Sequence, residues 1–171
     1  MPERSGGSVR SWVGTVVFLV VAPGVVAVLV PWLISGWREP AAWGPPVLLW
    51  VVALLLIVPG VLVLLDAFVR FARASGTPAP IAPTRHLVVV GPYRYVRNPM
   101  YLAVVAIILG QAILFGSWGV MLWAIAVAAA VALFVYTYEQ PTLERDYGDE
   151  YARYRANVRA WVPRLRPWNG A

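Results

Sequence analysis

The sequence predicts an all-α, polytopic membrane protein of about four transmembrane helices, followed by a cytoplasmic C-terminal amphipathic helix. Three observations carry that prediction. The 171-residue chain is 60% hydrophobic with a mean hydropathy of +0.69, above the roughly 45–50% apolar content of soluble domains. Four apolar stretches, at about 12–34, 46–68, 99–115 and 118–138, approach or exceed the roughly 20 residues that a spanning helix needs. All fourteen basic residues are arginine, and thirteen of them fall before the first span, between the second and third, or after the fourth, segments that alternate spanning places on one side of the membrane.

The first stretch follows Arg4 and Arg10. Its apolar region is too long for a signal peptide and lacks a small-x-small cleavage site before a soluble domain, so it is read as retained. Its Pro23 and Pro31, like Pro59 in the second stretch, are tolerated in lipid where neighbouring helices satisfy the freed carbonyls. Arg38 is the only arginine between the first two spans. Near the end of the second, Asp66 and Arg70 stand four residues apart and predict an ion pair along the helix.

The segment of about 30 residues from Arg70 to Asn98 begins with a Pro-rich half, 74–83, and continues through a β-prone run, 86–90. It ends in Gly91-Pro92-Tyr93-Arg94-Tyr95-Val96-Arg97-Asn98-Pro99-Met100-Tyr101. Proline disfavours helix at the residue before it and suits a first helical position, so a helix is predicted to start at Pro99 with Asn98 as its N-cap. The third span is short, and its Gln111 is read as a hydrogen-bond donor to a neighbouring helix. An uncharged Gly116-Ser117 turn leads to the fourth span, which ends at Glu139. In the tail, Leu143, Tyr147, Tyr151, Tyr154 and Val158 recur at spacings of three and four, an aromatic stripe interrupted by Gly148. Such a helix would lie on the membrane surface or fold back over the middle loop. Arginine density places both termini and the middle loop in the cytoplasm.

These features exclude several functions. The chain has no cysteine, which removes disulfides and thiolate chemistry, and its single histidine, His86, cannot build a multi-histidine zinc site. There is no GxGxxG and no P-loop. The net charge of +6 is explained by topology and attraction to anionic headgroups, without nucleic acid. No metal site is expected, and the whole chain reads as one domain.

The candidate chemistry gathers at 91–101 and at Glu139. The positive end of the helix beginning at Pro99 would lie beside Arg94 and Arg97, an arrangement suited to an anionic ligand group. Arg97 adjoins the cap and is placed to make paired hydrogen bonds to a carboxylate or phosphate, whereas both arginines also serve the positive-inside pattern. Tyr93, Tyr95 and Tyr101 suit an interfacial belt, and an inward Tyr101 would equally suit a cationic ligand. Glu139 at the end of a span requires a partner, a ligand or solvent. His86 is either a proton acceptor or structural.

The string from Gly91 to Tyr101, followed by Glu139-Gln140-Pro141-Thr142-Leu143 and by Tyr147-Gly148-Asp149-Glu150-Tyr151-Ala152-Arg153-Tyr154, resembles the isoprenylcysteine carboxyl methyltransferase and phospholipid methyltransferase superfamily. The resemblance runs over residues 86–163. It implies an integral membrane enzyme that uses S-adenosylmethionine, with His86, Gly91, Pro92, Tyr93, Arg97, Asn98, Pro99, Tyr101, Glu139 and Leu143 around the cofactor and with Arg97 and Tyr101 nearest the chemistry. Asn98 looks more like the bacterial and phospholipid-type members than the eukaryotic prenylcysteine enzymes. Two departures stand out: Gln140 occupies the usual position of a second Glu, and Leu102 and Ala103 follow where a glycine is common.

The residue chemistry is compatible with that resemblance. Arg97 and the helix start suit the cofactor's carboxylate, Glu139 its ammonium or ribose, and tyrosine rings its adenine or sulfonium. The acceptor implied is lipophilic or amphipathic, an isoprenylcysteine-like carboxylate or a phospholipid amine, with a thiolate also open, reached at the cytoplasmic face of a prokaryotic plasma membrane. A non-catalytic scaffold that binds anionic lipid and a protein partner is the rival reading. A small carrier subunit is a third, disfavoured by the lack of mid-span charge.

Overall fold

The computed structural model describes residues 21–38, 46–73, 87 and 89–170. His86, the start of the first predicted span and the Pro-rich half of the middle loop lie outside the described residues. Among those described, the elements are helices and turns with no strand, including positions 87, 89 and 90 of the β-prone run. In chain order they are α1 (Val21–Ser35), α2 (Pro46–Arg73), a 3-10 turn (Gly91–Arg94), α3 (Pro99–Leu114) and α4 (Trp118–Asn157). By length and composition two helices can cross a membrane, Pro46–Arg70 of α2 and α4. The 16 residues of α3 rise only about 24 Å, shorter than a hydrocarbon core of roughly 30 Å. Many large apolar side chains point outward, among them Val47, Leu55, Leu62, Leu122 and Leu133, which a helix in a soluble core would hide.

The chain forms two compact units. One, the bundle unit, comprises Val20–Leu64 and Met100–Leu133; the other, the polar unit, comprises Leu65–Pro99 and Phe134–Ala171 with the N-terminal residues.

In the bundle unit, α2 and α3 pack through reciprocal glycines. A Cβ on Gly60 would lie 2.9 Å from Ile107 Cγ1 and 3.0 Å from the Ala103 carbonyl. One on Gly110 would lie 2.5 Å from Ile57 Cγ1 and 2.9 Å from the Ala53 carbonyl. Helix α1 is joined by polar contacts that its own sequence makes necessary. It widens into a π-turn at Val25–Leu29, where the Val30 N–H bonds the Val25 carbonyl, and Pro31 has no N–H to give. The carbonyls of Val26 and Ala27 therefore lose their intrahelical donors. Trp123 Nε1 donates to Val26 O at 2.9 Å and Gln111 Nε2 to Ala27 O at 2.6 Å. Gln111 thus bridges helices as its sequence context predicts, and Pro31 is accommodated by neighbouring donors. Buried polar groups left unmet would each cost about 1–3 kcal/mol.

In the polar unit, the five stripe residues form one apolar cluster. Tyr151, Tyr154 and Val158 are buried, and Leu143, Tyr147, Leu87, Val89 and Trp168 pack against them. The stripe thus covers the end of the middle loop. The predicted fourth span and the predicted tail helix form one element: α4 continues through a second π-turn, Val135–Glu139, before the segment from Gln140 to Asn157. At Gly148 the backbone leaves helical geometry, with φ 47° and ψ −122°, and a Cβ there would meet nothing within 4 Å. The glycine is needed for conformation rather than space.

Candidate functional site

The site is built on the 89–99 segment, whose shape begins at Gly91. Val90 is extended (φ −129°, ψ 157°) and Gly91 turns to φ +56°. A Cβ on Gly91 would fall 2.5 Å from Arg70 Nε, the end of a flexible side chain that can move aside, so it is the backbone angle that demands glycine. Arg70 is held by Asp66 at 2.7 Å, the predicted pair four residues apart. Pro92 then opens the 3-10 turn, and its carbonyl accepts from the N–H groups of Tyr95 (3.0 Å) and Val96 (3.2 Å).

The chain beyond α4 straps this segment down. Arg97 N donates to Arg159 O, Arg164 N to Tyr95 O and Trp168 N to Arg94 O, each at 2.9 Å. Asn98 immediately precedes α3, as predicted, and its Nδ2 donates to Ala160 O at 3.2 Å from a buried position. Arg94 departs from the anion-binding role that its position beside Arg97 implied. Its Nε donates to Trp168 O at 2.8 Å and its Nη2 to Asn169 Oδ1, so its charge serves the strap.

Arg97 turns instead toward α4. Its Nη1 donates to the Tyr151 hydroxyl at 3.0 Å, while the neighbouring Tyr154 hydroxyl donates to Tyr93 O at 2.7 Å. Both hydroxyls lie in the charged part of α4, past the apolar stretch that ends at 138. Burial pushes the Tyr151 hydroxyl up from its ordinary pKa; Arg97 opposes the shift and the Glu139 charge adds to it. Burial likewise pushes Tyr154 well above the phenolic range. Arg155 Nη1 donates to Glu144 Oε1, two residues that a straight helix would hold about 16 Å apart. The break at Gly148 turns the following segment back, so that Arg97, Tyr151 and Glu139 share one electrostatic neighbourhood.

Two buried side-chain nitrogens among the described residues have no hydrogen-bond partner, Arg97 Nε and Gln140 Nε2. Both belong to the polar unit. Gln140 is 6% exposed and lies three and seven residues before Leu143 and Tyr147, which places it on the helix face that those residues turn toward Tyr151.

Of the residues singled out in the sequence, Gly91, Pro92, Tyr93, Arg97, Asn98, Pro99, Glu139 and Leu143 fall in the polar unit. Tyr101 belongs to the bundle unit, on α3. Sequence reasoning passed over Tyr151 as a polar partner, Gln140 as a buried donor and 159–169 as a strap. Pro163 and Pro167 were the available signals for the strap, since they favour an extended chain.

The fold and site define a class: an all-helical protein with helices fit to cross a membrane and with unmatched buried donors beside a polar loop. The family model described as phospholipid methyltransferase matches residues 48–150, more than half of the chain. The protein belongs to that family, within the superfamily that its 91–101 and 139–154 motifs resemble, and is accordingly a membrane-associated methyltransferase with a lipid-like substrate. No curated protein and no solved structure matches the chain. Tyr151 and the strap lie past the end of the matched segment.

Proposed function

We propose that the protein transfers a methyl group from S-adenosylmethionine to a lipophilic or amphipathic acceptor, an isoprenylcysteine-like carboxylate or a phospholipid amine. In this reading the chain crosses a prokaryotic plasma membrane four times, with both termini and the polar unit cytoplasmic. The observation that carries it is Arg97: a guanidinium anchored by Nη1 to Tyr151 whose buried Nε lacks an acceptor, in a member of a methyltransferase family. A cofactor carboxylate supplies the acceptor oxygen that this donor lacks, so the residues present fit the group.

The cofactor, when bound, supplies a methyl group already activated on its sulfonium. The chain's own work is binding and alignment. Arg97 holds the carboxylate end beside the start of α3, and Tyr151 fixes the guanidinium plane. Glu139 accepts from the ammonium or a ribose hydroxyl. Gly91 and Pro92 shape the turn that positions Tyr93 and Arg97, and Leu143 helps keep water from the buried face. No protein nucleophile is needed.

The test is a methyl-transfer screen with radiolabelled S-adenosylmethionine, membrane lipid extract and prenylated-cysteine analogues. Label should enter the organic phase with the native protein and not with Arg97→Ala. Absence of transfer to every acceptor class by folded native protein overturns the proposal.

A further inference from the structure

Gln140 stands apart from the roles assigned to Arg97, Tyr151 and Glu139. It is a neutral amide at the start of the polar half of α4, 6% exposed, with its Nε2 lacking any partner. A buried amide N–H2 is seldom left unmet in a folded protein. The helix itself offers little: the Gln140 backbone N–H already bonds Val135 O across the π-turn, and the side chain lies on the face that carries Leu143 and Tyr147. That face packs against the cluster of Tyr151, Tyr154 and Val158, and the Tyr151 hydroxyl receives Arg97 Nη1. The second unmatched nitrogen, Arg97 Nε, is therefore tied to the same face. Two donors and a fixed positive charge call for an anionic group with at least two acceptor oxygens.

We propose that Gln140 is an anion-binding residue, its Nε2 and Arg97 Nε together holding one oxyanion of the bound reactants. The inference rests on the methyltransferase reading and deepens it. It assigns to a neutral side chain a donor role that a carboxylate at this position could not perform. A carboxylate and a phosphate present the same chemistry to these donors. The sources are the amino-acid arm of the cofactor or the headgroup of a phospholipid acceptor.

The sequence contains two glutamines, Gln111 and Gln140, so protein labelled with 15N-glutamine gives two side-chain amide pairs in solution NMR. The pair that disappears in Gln111→Met, or its complement in Gln140→Glu, assigns them. S-adenosylhomocysteine should shift the Gln140 pair and leave that of Gln111 in place, whereas 5′-methylthioadenosine, which lacks the carboxylate, should shift neither. A shift produced only by dihexanoyl phosphatidylethanolamine assigns the oxyanion to the lipid phosphate. In calorimetry, Gln140→Glu and Gln140→Met should weaken the ligand identified in this way about 10- to 100-fold, as expected for losing a hydrogen bond to a charged group. Gln140→Glu should be the weaker binder of the two. If neither ligand moves the Gln140 resonances, or both variants bind with native affinity, the inference is overturned. Native binding of S-adenosylhomocysteine with no Gln140 response to either ligand sinks only this inference; no native binding of S-adenosylhomocysteine sinks the cofactor reading as well.

Discussion

Helix α4 and helix α1 contain the same local device, and the two units use it differently. In each, a five-residue π-turn is followed by one residue bonded back to its first carbonyl and then by a proline: Val25–Leu29 with Pro31, and Val135–Glu139 with Pro141. In the bundle unit the polar groups involved are closed by protein. Trp123 and Gln111 supply donors to Val26 O and Ala27 O. In the polar unit the residue after the turn is Gln140, a buried donor that no protein acceptor meets, and Arg97 Nε shares that condition. An apolar scaffold gains from leaving nothing unmatched, whereas a binding site must leave groups for its ligand to match.

Arg97→Ala should give the largest effect. It removes a half-buried charge at the proposed binding face, which costs about 2–5 kcal/mol, so affinity for S-adenosylhomocysteine should fall a hundredfold or more. Measured by calorimetry on folded protein in detergent, a near-native affinity would erase the distinction between the two units.

Gln111→Leu probes the closed unit. It leaves Ala27 O unmet and should lower stability by about 1–3 kcal/mol, read as an earlier thermal midpoint, with ligand affinity unchanged in the molecules that remain folded. A native midpoint would show that Ala27 O does not need its partner.

Tyr151→Phe is milder. It removes only the acceptor that orients Arg97, worth about 1 kcal/mol, and should weaken binding about fivefold while sparing the apolar cluster. An unchanged affinity would make the hydroxyl a bystander.

The smallest effect is alkaline. The folded chain holds the Tyr151 and Tyr154 protons more tightly than the unfolded chain does. The stability from those protonated hydroxyls is intact below the ordinary phenolic pKa of about 10 and declines as pH rises above it. Chemical denaturation at increasing pH should show that decline, and Tyr154→Phe should flatten it. A slope as steep in the variant as in the native protein would place its origin elsewhere.

The features legible in the sequence are the ones that local chemistry fixes. The Asn-Pro step marked the start of α3, the stripe of Leu143 to Val158 marked the buried face, Asp66 and Arg70 paired at helical spacing, and an isolated Gln111 in an apolar run declared its need for a neighbour. Distant pairing leaves no such signature. Arg94 meets Trp168 across 74 positions and Asn98 meets Ala160 across 62, so the strap and the part Arg94 plays in it leave no mark in the sequence. Gln140 was visible only as a departure from a motif. Its character as an unmatched donor depends on burial, which no spacing reports. The turn at Gly148 was readable as a break, but its result, bringing Tyr151 within the influence of Glu139, required three-dimensional placement.

In the proposed function the polar unit binds S-adenosylmethionine through Arg97 and Glu139. Titration of S-adenosylhomocysteine into the detergent-solubilised chain, native and with Arg97→Ala or Glu139→Ala, tests it most directly. Saturable binding to the native protein that each substitution abolishes or severely weakens is the predicted result. No binding to the folded native protein, or equal binding to all three, would contradict it.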